Sequence, residues 1–139
     1  MTEPNTCRLL RPRAAVIGKQ GLHNAVGIST ETVGATGINL QIVTIPPGGR
    51  AKTHMHEGHE TAIYALSGIS RVWYGQQLES HETLHPGDFF YIPAGMPHQP
   101  YNDTDEPVSV LVARSDPNEQ ESVVLMPHLD ALHPAGSKP

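Results

Sequence analysis

The chain has 139 residues, 37% of them hydrophobic and 17% charged, with a formal net charge of -5. That length buries one core and is short for two, and the composition excludes a disordered chain. No cluster of Lys or Arg offers the basic stripe that neutralises phosphates, and no window approaches the roughly 20 apolar residues that cross a bilayer, so neither nucleic acid nor membrane is expected as a partner.

Residues 1–13 lack periodicity and are expected to form a partly ordered arm. They hold the single cysteine, Cys7, which excludes an internal disulfide framework. The N-terminus has no continuous apolar segment of the signal-peptide kind, so a cytoplasmic protein is expected. AAVI at 14–17 and GLHNAVGIS at 21–29 are expected as short edge strands. From Gly37 the pattern strengthens: Ile38, Leu40 and Ile42 alternate with Asn39, Gln41 and Val43, a period of two that ends at Pro46-Pro47-Gly48-Gly49.

Further strand candidates follow at intervals of roughly 8–12 residues, the spacing of a sandwich or barrel. They are AKTHMH, ETAIYALSG, SRVWYG, QLESHETL, DFFYIP, PHQPYN and PVSVLVAR. Gly58, Gly68, Gly75, Pro86-Gly87, Pro93-Ala94-Gly95 and Asn102-Asp103 divide them. No amphipathic helix of three turns is present, though 127–133 suits a short helical turn, and HPAGSKP reads as a frayed end. The expected class is all-β, with an N-terminal arm and edge strands over 1–36, a barrel unit over 37–126 and a tail over 127–139.

Nine histidines are the chain's unusual feature, three of them within the six residues His54–His59. On a strand, alternate side chains share a face, so His54 and His56 can present two imidazoles to one ion. His59 and Glu60 follow at once as further candidate ligands. His98, after the Pro93-Ala94-Gly95 bend, is a distant partner that a barrel can bring to the same place. Imidazole and carboxylate donors suit Fe, Mn, Cu, Ni or Zn. His23, His81, His85, His128 and His133 have no matching partner spacing and read as surface residues. Trp73, Tyr74, Phe89, Phe90, Tyr91 and Tyr101 read as core or interface.

The spacing resembles that of the cupin superfamily. Residues 48–68, GGRAKTHMHEGHETAIYALSG, are similar to the first cupin motif, G-x5-H-x-H-x3,4-E-x6-G, at Gly48, His54, His56 and Glu60, with Gly68 one residue late. Residues 87–102, GDFFYIPAGMPHQPYN, match the second, G-x5-P-x-G-x2-H-x3-N, at Gly87, Pro93, Gly95, His98 and Asn102. Eighteen residues separate the two. The resemblance implies a small single-domain double-stranded β-helix, a jelly-roll barrel, with one divalent transition metal held by His54, His56 and His98. It also implies turn roles for Gly48 and Gly87, and for Gly68 the closing of a hairpin.

The fourth ligand stays open. Counting forward from His56 gives Glu60, counting back from Gly68 gives Thr61, and strict alternation puts His59 and Thr61 on one face and Glu60 on the other. Three arrangements compete: three His plus Glu60, four His with His59, or three His with water.

Two functions follow from the resemblance. One is a metal-dependent enzyme on a small oxygenated substrate, dioxygenase-like or an isomerase, with Glu60 or His59 as candidate base. The other is a non-catalytic module that binds a small ligand or a metal. Small cupins also pair, so a homodimer is expected, with AAVI in the N-terminal segment as the pairing element.

Overall fold

A computed structural model describes residues 6–11, 14–118, 122–134 and 139. The arm expected at 1–13 and the frayed C-terminal end therefore lie partly outside the described residues. In chain order the strands are β1 (Val16–Ile17), β2 (His23–Ile28), β3 (Asn39–Ile45), β4 (His54–His56), β5 (Thr61–Ser67) and β6 (Ser70–Tyr74). They continue as β7 (Ser80–Leu84), β8 (Phe89–Ile92), β9 (His98–Tyr101), β10 (Val108–Arg114) and β11 (Val123–Leu125). Each segment expected from alternation between residues 51 and 114 contains one of these strands.

The strands form two antiparallel sheets, one in the order β1-β2-β3-β10-β5-β8 and the other in the order β11-β4-β9-β6-β7. This is the all-β jelly-roll arrangement that the motifs imply. From β3 onward successive strands change sheet at every step except the β6–β7 hairpin, which is how a jelly roll wraps two layers around one interior. Gly68 marks one such change, since β5 belongs to the larger sheet and β6 to the smaller. It turns a corner between sheets and does not close a hairpin, contrary to the role expected for it. Its φ is 74°, and a Cβ there would lie 2.5 Å from the Pro107 carbonyl oxygen. Backbone crowding makes the position one for glycine.

Inside the barrel, register places side chains in rows across the larger sheet. Val110 lies between Val43 and Ala65, Val112 between Gln41 and Ile63, and Arg114 between Asn39 and Thr61. Each of β3, β10 and β5 thus runs from apolar to polar along its buried face: Ile45 and Val43 give way to Gln41 and Asn39, Val108 to Arg114, Ala65 to Thr61. The apolar end closes as a core of Leu22, Val43, Ile45, Ala51, Val108, Val110 and Val112. Burying such side chains contributes roughly 1.5–3 kcal/mol each.

Two short elements lie outside the strands, one of them the helical turn expected over 127–133. α1 (Thr30–Val33) is one turn, held by Ser29, whose side chain accepts from the Thr32 backbone N–H, and ended by Gly34 in the left-handed region. A 3-10 helix over Pro127–Leu132 lays Leu129 against Trp73 and Leu78. That contact ties the C-terminal segment to the smaller sheet. Two of the histidines read as surface residues join it: His133 stacks on Trp73 with ring centroids 3.5 Å apart, and His81 meets the Tyr101 hydroxyl at 2.7 Å.

Candidate metal centre

β4 is three residues long, and its alternation turns His54 and His56 to one side. Both are buried, at 3% and 2% exposed. His98 opens β9 directly opposite His54 in the antiparallel ladder. The preceding bend works as the sequence suggests. Gly95 has φ 73°, and its N–H donates to the His56 carbonyl at 3.1 Å, fastening the bend to β4. One local turn thereby delivers the distant histidine. The centroids of the His54 and His98 rings are 4.2 Å apart, and those of His54 and His56 5.3 Å.

Each imidazole is oriented through Nδ1. His54 Nδ1 donates to the Lys52 carbonyl at 2.8 Å, and His98 Nδ1 to the Met96 carbonyl at 2.9 Å. His56 Nδ1 meets the Ser122 hydroxyl at 3.2 Å. A carbonyl only accepts, so Nδ1 of His54 and His98 carries the proton and Nε2 keeps its lone pair. One ring nitrogen from each histidine lies within 4.8 Å of the others, a grouping that no other set of His, Cys, Asp or Glu makes among the described residues. His56 Nε2 is buried without a hydrogen-bond partner among them.

Electrostatics keep all three rings neutral at physiological pH. Burial lowers the pKa of His98 to about 4 and holds His54 well below the usual histidine value, with the neighbouring His98 adding to the effect on His54. His56 is lowered by burial first, and then by Arg114 and the other rings. Neutral imidazoles, two of them with Nδ1–H pinned on a carbonyl, and one ring nitrogen from each brought together are the donor set that a transition metal takes. An ion would also satisfy the orphaned His56 nitrogen, whose burial is otherwise costly. The residues present therefore fit a metal.

The structure does not bring His59 and Glu60 into this group. Glu60 is exposed on the opposite face, where its carboxylate accepts from the Tyr91 hydroxyl at 2.5 Å. His59 is half-buried, with Nδ1 3.4 Å from the Ser115 hydroxyl. Thr61 holds the inward position, 3% exposed and in register with Arg114 and Ile92. Arg114 and Ser122 are the neighbours of the site that sequence reasoning passed over. For Arg114 a signal was present: it ends the inward series Val108, Val110, Val112. Ser122 had none, since a lone serine 66 residues from His56 carries no spacing rule.

Residues 41–114 match the cupin domain family. No curated protein matches the chain. Among solved structures, a deletion mutant of oxalate decarboxylase from Bacillus subtilis superposes with a TM-score of 0.69 at 22% identity, over 82% of this chain and 30% of that one. The formate complex of the Lactobacillus farciminis oxalate decarboxylase gives 0.67 at 24% identity, over 90% and 36%. A Cupin 2 conserved barrel domain protein from Salinispora arenicola gives 0.66 at 22%, over 80% of this chain and 91% of the other. The chain thus spans about a third of the length of the two decarboxylases, and at these identities the likeness is one of fold.

Proposed function

The chain belongs to the cupin domain family, and from that premise we propose that it binds one divalent transition metal through Nε2 of His54, His56 and His98. The observation that carries this reading is the trio itself: three buried rings, oriented through Nδ1, with converging nitrogens. Three side-chain ligands leave positions open on the ion. Fe, Mn, Cu, Ni and Zn all accept such a set.

We further propose that the site is catalytic and acts on a small oxygenated molecule, in the manner of a cupin dioxygenase or isomerase. The ion would supply Lewis acidity, or redox activity if it is iron, manganese or copper. The chain supplies a partly apolar setting. His54, His56, His98, Thr61 and Arg114 share a cavity with Ile63, Phe90, Ile92 and Val112. Those apolar walls lower the local dielectric and strengthen the electrostatic contacts beside them. Neighbours that carry the name oxalate decarboxylase are compatible with an acid as substrate, but this chain matches only part of their length.

Metal analysis of the purified protein, followed by oxygen uptake and product analysis with diketones, flavonols and small acids, tests both claims. One ion per chain with turnover on any of these supports the enzyme. Stoichiometric metal without turnover moves the reading to a small-ligand or metal-binding module, and a protein that binds no metal contradicts it altogether.

We also propose that the chain pairs into a homodimer. β1 is the edge of the larger sheet, with Val16 and Ile17 both exposed, and its free side can add a strand from a second copy. Light scattering at micromolar concentration would give twice the chain mass. A monomer would contradict it.

A further inference from the structure

A buried positive charge beside the histidines has no counterion among the described residues that line the cavity. Arg114 is 6% exposed, and its Nε donates to the Thr61 hydroxyl at 3.3 Å. A guanidinium has five N–H donors in a planar fork. Asp116 is the acid that acts on it electrostatically. That carboxylate already accepts from the Asn118 backbone, the Asn118 side chain and the Ser122 backbone. Among the described residues lining the cavity there is no Asp or Glu, and Arg114 is the one group charged at neutral pH.

Loading this site with a divalent ion would add two more positive charges. Three neutral imidazoles offset none of it. A side-chain carboxylate could have done so at the inward position beside Arg114, but that residue is Thr61, while Glu60 points to the outer face. Uncompensated buried charge is expensive, and a compensating anion is strongly favoured.

We propose that the cavity takes a small carboxylate, held by the Arg114 fork beside the metal, in the space that Thr61 leaves free. The inference rests on the metal reading above and adds the chemical class of the ligand. A planar fork suits a carboxylate in a two-point contact. The size of the void sets the scale. At about 50 Å³, which the ion would share, it holds a few water-sized groups, so the acid must be small. Ile63, Ile92 and Val112 give its carbon end an apolar wall.

Cobalt(II)-loaded protein gives a direct test through its visible spectrum. Acetate is expected to shift the spectrum, and acetamide, its neutral counterpart, to leave it unchanged at the same concentration. Arg114→Gln should keep one cobalt per chain and weaken acetate by about tenfold or more. Thr61→Glu, which supplies an internal carboxylate, should keep the ion and lose the response to acetate. If Arg114→Gln does not fold, Arg114→Lys takes its place and should also bind acetate more weakly, because the fork is gone. The proposal is overturned if acetate and acetamide act alike. It is equally overturned if the folded Arg114 variant or Thr61→Glu binds acetate as the wild type does. Failure of the wild type to take up cobalt is read separately, by elemental analysis, and contradicts the metal reading on which the proposal stands.

Discussion

The two ends of the barrel interior are built from the same strands and have opposite chemistry. At one end β3, β10 and β5 contribute Ile45, Val43, Val108, Val110 and Ala65. A few residues along, the same inward positions hold Gln41, Asn39, Arg114 and Thr61, facing the strands that carry the three histidines. Stability therefore resides mainly at the apolar end. The polar end spends some of it, since neutral histidines, a sparsely bonded arginine and the unpartnered amides of Asn39 and Gln41 are all buried there. A jelly roll tolerates this because the closed end and the ladders hold the strands in place whatever the open end contains.

Substitutions at each end should separate the two roles. The largest effect is expected from His98→Ala or His54→Ala, which should lower metal affinity by about 100-fold or more, read by titrating the apoprotein with a divalent ion. An apoprotein that still folds would place these rings in the functional end. Ile45→Ala, at 1% exposed in the closed end, should destabilise by about 2–5 kcal/mol in denaturant unfolding and leave the metal stoichiometry unchanged. Loss of metal in that variant would erase the distinction between the ends.

Acid should act on the polar end first. A histidine held neutral by burial binds fewer protons folded than unfolded, so stability falls as pH drops below the ordinary histidine value of about 6.5. For His98 the loss runs from there down to its lowered value of about 4 and amounts to roughly 3 kcal/mol. His54 and His56 shift in the same direction. Unfolding of the apoprotein followed between pH 7.5 and 4 should show this decline, and His98→Gln should flatten it. An unchanged slope in the variant would show that His98 is not the titrating group. The smallest effect is expected outside the barrel. Tyr91→Phe removes the hydroxyl that donates to the exposed Glu60, and should change stability by less than about 1 kcal/mol with no change in metal content.

Much of this division is legible in the sequence, for identifiable reasons. Glycine and proline bracket the strands from β4 to β10, and alternation fills them. The two histidine-bearing segments carry spacings specific enough to name the trio before any geometry is known. What alternation cannot supply is which face turns inward. In β3 the apolar Leu40 and Ile42 face outward and the polar Asn39 and Gln41 face in, because this stretch passes the open end. α1 and β11 are too short, at four and three residues, to set up a period. The fourth ligand stayed open because forward and backward spacing disagree by one residue, and a one-residue step on a strand reverses the face. Ladder pairing of Thr61 with Arg114 and Ile92 puts threonine inside and Glu60 out.

The central claim is that three imidazoles, and no acidic side chain of the first motif, hold the ion. Pulsed electron paramagnetic resonance on the copper(II)-loaded protein tests it most directly, because the Nδ1 of each Nε2-bound imidazole gives its own modulation. The wild type should give the signature of three imidazoles, unchanged in both Glu60→Gln and His59→Ala. A signature that loses an imidazole in His59→Ala, or is altered by Glu60→Gln, would contradict it.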